Sequence, residues 1–267
     1  MALPKEIYYS DLKHDDFAGT NIETKTVDAS YRYLHGKLWT AVSHVVYYGI
    51  AFPLVWFFCC GLLGIRIVNR KAVRKIPAGQ SFFLYGNHTH FSDAMLGSIV
   101  AFPKRAEVIS GPDAVSIRGI AWLVAMLGGL PIPSSRKGME RFMEAIETHS
   151  AHGRCITIFP EAHIWRYFTG IRPLDPVSFR YPVRLDRPVI AMCLTYQKRK
   201  GLFKNTLWPK RVLYVSDPIL PRTDLSPKEA QRWLRDAVQE FLERSAVHSD
   251  CERIRYIHRP AEEPHTL

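Results

Sequence analysis

Between Lys37 and Arg66 the chain runs for 28 positions without a charged side chain, and Trp39, Val45, Val46, Ile50, Leu54, Val55, Trp56, Phe57 and Phe58 are typical of its filling. A membrane-spanning helix takes roughly 20 apolar residues, and core helices of soluble proteins seldom run this far without a charge. Pro53 removes one backbone donor from the middle, which leaves two forms open: one kinked span, or two short helices that enter and leave the same leaflet. The 37 residues ahead of it are polar and hold six acidic side chains, unlike the short basic start of a cleaved secretory signal. On the far side Arg66, Arg70, Lys71, Arg74 and Lys75 follow with no acid among them. The positive-inside tendency then places everything beyond residue 65 on the cytoplasmic face of a membrane. The same five charges attract anionic headgroups.

Downstream the pattern changes to alternating strand and helix signals. Ser81 to Tyr85, Glu107 to Ser110, Cys155 to Phe159, Pro188 to Tyr196 and Arg211 to Val215 are short apolar runs, as in strands of a sheet covered on both faces. Helices are predicted from Ser92-Asp93 through Ala101, from Ile117 to Leu127 ahead of Gly128-Gly129, and from Gly138 to Ser150. Ser226-Pro227-Lys228-Glu229 is a capping box with proline at the first helical position, opening a helix to about Ser245. Strands alternating with helices predict an α/β fold with a mixed, largely parallel sheet flanked by helices, behind an N-terminal membrane-embedded helical segment. The expected organisation is a polar segment over 1–37, the membrane anchor over 38–65, the α/β domain over 66–250 and a C-terminal tail over 251–267.

Composition narrows the class. In 267 residues, 47% hydrophobic and 12% aromatic side chains exclude wholesale disorder, and the length favours one sizeable domain. Cys59, Cys60, Cys155, Cys193 and Cys251 are odd in number and contain no Cys-x-x-Cys pair, so they make neither a disulfide framework nor a zinc ribbon. The net charge of +11 points to an anionic partner. No nucleic-acid-reading module accompanies that charge, so a nucleic-acid partner is not expected.

The chemistry gathers at strand ends. Asn87-His88-Thr89-His90-Phe91-Ser92-Asp93 places a histidine in a strand-to-helix turn and a carboxylate at the first turn of the helix, five residues on. If the turn folds back, Asp93 accepts from one ring nitrogen of His88 while the other faces the cleft, and the neutral imidazole is a general base for an alcohol. No Gly-x-Ser-x-Gly elbow supplies a nucleophile, so the nucleophile comes from the substrate. Two further groups sit on the same predicted rim: Phe159-Pro160-Glu161 after a strand, and the Gly128-to-Arg136 loop, whose arginine suits bidentate phosphate pairing.

Asn87-His88-x4-Asp93, the glycine-rich loop ending in Arg136, Phe159-Pro160-Glu161 and Arg187-Pro188-Val189-Ile190 resemble the four ordered blocks of the glycerophospholipid acyltransferases, over roughly residues 75 to 220. The resemblance implies that His88 deprotonates the hydroxyl of a lysophosphatidate-like acceptor, which attacks an acyl thioester of CoA or acyl carrier protein, with Asp93 as the partner of His88. It implies no cofactor beyond that co-substrate, and it casts Asn87, Gly129, Arg136, Pro160 and Glu161 as acceptor-binding residues. The chain departs from the pattern at Ala162, where the family has glycine, and it lacks the usual Lys and Gly between the third and fourth blocks. An alanine forced to positive φ is strained. These departures support one alternative, a catalytically weak, membrane-bound lipid-binding or assembly component.

His90 and His163 are expected to serve packing and hydrogen bonding. His88-x-His90 invites a zinc reading, but Ser92 and Asp93 stand where a metal-hydrolase pattern needs Asp and His, so no metal is expected. Lys198, Arg199, Lys200, Lys204, Lys210 and Arg211, interleaved with Leu202, Phe203 and Trp208, form an acid-free run that suits a second contact with a membrane surface.

Overall fold

The computed structural model describes residues 4–17, 24–116, 119–201 and 208–260. In chain order the elements are β1 (Lys5–Tyr9), α1 (Lys37–Leu62), β2 (Arg66–Val68), β3 (Phe82–Gly86), α2 (Asp93–Ala101), β4 (Ala106–Ser110), α3 (Ala121–Met126) and β5 (Gly129–Pro131). There follow α4 (Arg136–Ala151), β6 (Cys155–Ile158), α5 (Arg180–Leu185), β7 (Val189–Gln197), β8 (Lys210–Val215), α6 (Pro227–Ala246) and β9 (Ile254–His258).

A seven-stranded sheet in the order β2-β8-β7-β3-β6-β4-β5 carries the domain, parallel throughout except where β7 meets β8. β3 is central and buried along its length, because its neighbours cover both edges and helices cover both faces. Alternate residues feed two cores. Phe83 and Tyr85 pack with Phe142, Ile156, Val189, Leu234 and Val238 on the side of α4 and α6. Phe82 and Leu84 pack with Leu96, Ile99, Cys155, Ile190 and Met192 on the side of α2. The expected sheet and helices are therefore present, with shifted ends. The helix expected from Gly138 begins at Arg136, where Ser135 caps it by accepting from the Gly138 N–H. The helix expected from Ile117 begins at Ala121, and residues 117–118 lie outside the described residues.

Two features depart from the sequence reading, and a third decides between the two forms it left open. The polar N-terminal segment and the expected C-terminal tail are joined: β1 and β9 pair in parallel, Lys5 opposite Ile254 and Tyr9 opposite His258, as a separate two-stranded sheet. Residues 18–23 and the chain after Pro260 lie outside the described residues, as do Leu202, Phe203 and Lys204 of the basic run. Second, Ser92 makes no side-chain cap on α2, because its hydroxyl is held by the His90 ring, Nδ1 to Oγ 2.7 Å. Third, the apolar stretch is one helix and not a hairpin. Its turns over Val46–Ala51 and Phe57–Leu62 are π-helical, and the Phe52 N–H reaches back to the Tyr47 carbonyl. Such widened turns flanking Pro53 let the helix run on past the missing donor.

At 26 residues α1 is about 39 Å long. One face lies on the domain: the Ser43 hydroxyl donates to the Met126 carbonyl (2.7 Å), the Ala106 N–H donates to the Tyr47 hydroxyl (3.0 Å), Tyr48 donates to the Pro103 carbonyl (3.0 Å), and Phe52 stacks on Phe102. The other face exposes Leu38, Val42, Val45, Ile50, Leu54, Phe57 and Leu62, and Phe91, Phe102 and Trp122 extend this apolar surface onto the domain.

Helix α2 lies close on the sheet at Gly97, where an added Cβ would lie 2.3 Å from Oγ1 of the buried Thr157 in β6. Gly97→Ala is expected to lower the unfolding free energy by about 1–3 kcal/mol through overpacking; a denaturation midpoint equal to that of the parent protein would show that α2 can withdraw freely.

Candidate active site

His88 stands two residues past the end of β3, on the carboxyl rim of the central strand, where ligands of α/β sheets collect. The turn after it is built on one oxygen. Asp93 Oδ2 accepts from the Thr89 N–H (2.7 Å) and the His90 N–H (2.7 Å) and lies 3.3 Å from His88 Nδ1. Asp93 is buried at the first position of α2, so its charge also meets the positive end of the helix. His88 keeps 14% of its side chain exposed and stacks on Phe159, ring centroids 4.5 Å apart. With Nδ1 turned to Asp93, Nε2 is the nitrogen left to act as a base. The expected dyad is thus present as a geometry.

His90, next in the turn, is bonded to Ser92 and buried beside Tyr167. Burial lowers its pKa, with Arg211 and Arg166 pushing the same way and Asp93 opposing. It is a neutral structural ring. Among the described residues no group of three His, Cys, Asp or Glu side chains is placed to hold a metal, and all five cysteines are free thiols.

Glu161 is at the site, but its carboxylate is taken. It is buried, and it accepts from Arg172 Nε (3.2 Å) and Nη2 (3.0 Å), from the Arg172 N–H (3.3 Å) and from the His88 N–H (3.2 Å). A carboxylate so surrounded has no face for an acceptor; it anchors the catalytic turn. Arg172, which the sequence reading missed, is equally buried, donates to the His163 carbonyl and lies over the Trp165 ring at 5.0 Å. Trp165 donates its own N–H to the His88 carbonyl (3.1 Å) and its indole N–H to the Asp15 carbonyl (2.9 Å). Tyr9, Phe17 and Tyr256 pack around Trp165, so β1 and β9 form an aromatic cover over the loop that supports His88. His163 lies 3.3 Å from Asp16 in that cover, as a hydrogen-bonding residue.

The remaining expected binders divide. Asn87 is buried with both side-chain ends bonded to Leu194, Oδ1 accepting from its N–H (2.8 Å) and Nδ2 donating to its carbonyl (3.0 Å), so it extends the join between β3 and β7 and is not free for substrate. Gly129 lies in the edge strand of the sheet, three strands from β3. It opens β5, where a Cβ would meet Val124 at 2.4 Å, and its role is close packing. Pro160 is half-buried in the turn that delivers Glu161. Arg136 is on the catalytic rim, at the first turn of α4, with a side chain 96% exposed and a 3.8 Å approach to Glu140. β5 is the third strand from β3, about 14 Å across the sheet at the usual strand spacing, and Arg136 follows it by five residues.

Ala162 has φ +63°, the left-handed conformation a glycine would take at no steric cost. Its N–H donates to the Phe159 carbonyl (3.1 Å), and the His163 N–H to the Glu161 carbonyl (2.8 Å). The Glu161 bonds over-determine the turn, so the alanine bears the strain.

Comparison with known proteins bears on the family and the fold. The Acyltransferase family model matches residues 65–195, which contain the dyad, Glu161 and the central strands. The crystal structure of the 1-acyl-sn-glycerophosphate (LPA) acyltransferase PlsC from Thermotoga maritima superposes with TM-score 0.54 at 18% identity, covering 79% of this chain and 92% of that one, a likeness of fold. A search of curated proteins gave no match.

Ala162→Gly is expected to raise the unfolding free energy by up to about 1 kcal/mol, since relief of left-handed strain outweighs the extra freedom of glycine in the unfolded chain. A lowered denaturation midpoint would mean that the turn is not strained.

Proposed function

From its membership of the acyltransferase family, carried by residues 65–195, we propose that the chain esterifies a lysophosphatidate-like acceptor with a fatty acyl group from acyl-CoA or acyl carrier protein at a membrane surface. The observation that carries this reading is His88 held against buried Asp93 on the carboxyl rim of β3. His88 Nε2 takes the proton of the acceptor hydroxyl as its oxygen bonds to the thioester carbonyl carbon, and Asp93 stabilises the imidazolium. The C–S bond then breaks, and the thiolate leaves with the proton from His88. The positive φ of Ala162 favours an intact catalytic turn over the reading of an inactive scaffold. Arg136 is the exposed cation of the rim that the acceptor phosphate would reach.

Membrane attachment is assigned to α1 and its apolar surroundings. Residues near both ends of α1 touch the domain, at Ser43–Met126 and Phe58–Phe91. Crossing a bilayer would draw parts of the domain into hydrocarbon, so the helix is read as lying in one leaflet with Leu38, Val45 and Leu54 downward. Phe91, two residues from Asp93, brings that surface to the lip of the site. The basic residues from Arg66 to Lys75, suited to anionic headgroups of the cytoplasmic leaflet, support a reading with the domain on that face.

Thiol release from acyl-CoA by the detergent-solubilised protein, with and without lysophosphatidate, tests the reaction. His88→Ala is expected to abolish acceptor-dependent release, and Asp93→Asn to lower it by about 10³–10⁴-fold; turnover close to the parent level in His88→Ala would sink the mechanism. Arg136→Ala is expected to raise KM for the acceptor with kcat kept, and an unchanged KM would place the phosphate elsewhere. For attachment, Leu38→Glu with Val45→Glu and Leu54→Glu is expected to abolish flotation with lipid vesicles, and full retention would contradict the in-plane reading.

A further inference from the structure

At the amino edge of β4, β5 and β6, away from the catalytic rim, lies a cavity of about 490 Å³. Phe82 pairs with Cys155 and Tyr85 with Ile158, so Arg154 and His88 stand at opposite ends of adjacent strands. At about 3.3 Å per residue the separation along the sheet is roughly 20 Å. One wall is the start of α1, with Lys37 and His44; another is the Arg105, Glu107, His149 and Arg154 cluster.

The charge of this cavity is unbalanced. Arg32, Lys37, Arg105 and Arg154 line it against Glu107 as its one carboxylate, and that carboxylate is occupied, accepting from Arg105 Nε (3.1 Å) and from Arg154 Nη1. Arg105 is further fixed by the Met126 carbonyl (2.7 Å) and the Tyr47 ring, so the guanidinium pair is held in place and not free to swing into solvent. Two of the lining residues, His35 and Tyr31, each keep a polar atom, Nε2 and the hydroxyl, buried behind the cavity wall without a hydrogen-bond partner, an uncommon condition for groups that bond so readily. Burial, with Arg32 nearby, lowers the pKa of His35. Burial likewise lowers His149 to about 4, Arg154 and Arg105 acting with it and Glu107 against it. The rings are thus neutral, able to donate one N–H each, beside a surplus of fixed positive charge.

We propose that this cavity is a second anion site, taking a phosphate group carried either by a phospholipid headgroup or by a soluble molecule. The fixed arginines Arg105 and Arg154, with the exposed Arg32 and Lys37 beside them, supply the positive charge that draws a phosphate. The volume exceeds that of a bare ion and leaves room, beside Tyr33, Leu34 and Trp39, for what the phosphate is attached to. Leu38 and Val42, on the exposed apolar face of α1, border the same end of the helix as Lys37, so the opening lies where a headgroup would be presented. The proposal does not depend on the acyl-transfer reading.

The test uses the full chain in detergent micelles or with vesicles. Arg32→Gln with Lys37→Gln and His44→Gln alters only exposed lining side chains, and an unchanged denaturation midpoint checks its fold. Lys228→Gln with Arg232→Gln, exposed on α6, controls for lost charge at a distance. The probes are inorganic phosphate, by calorimetry, and phosphatidylcholine vesicles with or without phosphatidylglycerol, by flotation. The triple variant is expected to bind at least tenfold more weakly than the parent or the α6 control, while His88→Ala binds as the parent does. Loss confined to inorganic phosphate identifies a soluble ligand, and loss confined to phosphatidylglycerol vesicles identifies a headgroup. Parental affinity for both probes in the triple variant, an equal loss in the α6 control, or no saturable binding by the parent would overturn the proposal.

Discussion

One carboxylate oxygen shapes the catalytic end of the molecule. Asp93 Oδ2 gathers two backbone N–H groups and the His88 ring into a single tight turn, and it does so while buried. Removing a carboxylate from water is costly unless hydrogen bonds replace its hydration. Here the backbone supplies them at Oδ2, while Oδ1 is buried without a partner, so the charge that orients the base also holds the loop carrying the base. Chain reversal, helix start and imidazole orientation follow from one interaction, and none can be altered without disturbing the other two.

A second buried carboxylate works from the neighbouring strand. Glu161 ties the backbone of His88 to Arg172, and Arg172 leans on Trp165, which returns a hydrogen bond to His88. The ring so closed has no exposed acidic face, which shifts the task of contacting a substrate to groups on the rim and to the apolar lip near Phe91. Stiffness at the base of the site and openness at its mouth belong together: positioning a base demands a fixed frame, whereas an acyl chain needs apolar surface.

The central strands were legible because burial on both faces leaves an unbroken apolar run, and the start of α6 because Ser226 and Glu229 sit at capping-box spacing. His88, Asp93 and Glu161 were legible as an ordered set. Their roles were less so. Glu161 was read as a substrate contact because its partner, Arg172, is 11 residues away in a stretch without periodicity. The structural bond of Asn87 is hidden for a similar reason, since its partner Leu194 is 107 residues away. Gly128 and Gly129 looked like a phosphate loop, yet Gly128 at φ +97° gives the Glu107 carboxylate room and Gly129 packs against Val124. A glycine states that a side chain is unwelcome, not what excludes it. The three-residue strands β2 and β5 are too short to show a period.

The pairing of β1 with β9 bears on the order in which the protein is assembled. Lys5 meets Ile254 across about 250 residues of chain, a closure that local structure does not help. Since chains emerge amino end first and fold as they emerge, β1 leaves the ribosome long before its partner exists. Asp15 and Phe17 can meet Trp165 once that residue is made, but the aromatic cover is completed only when Tyr256 has followed it. The loop that props the catalytic histidine therefore gains its full cover only after β9 has been made.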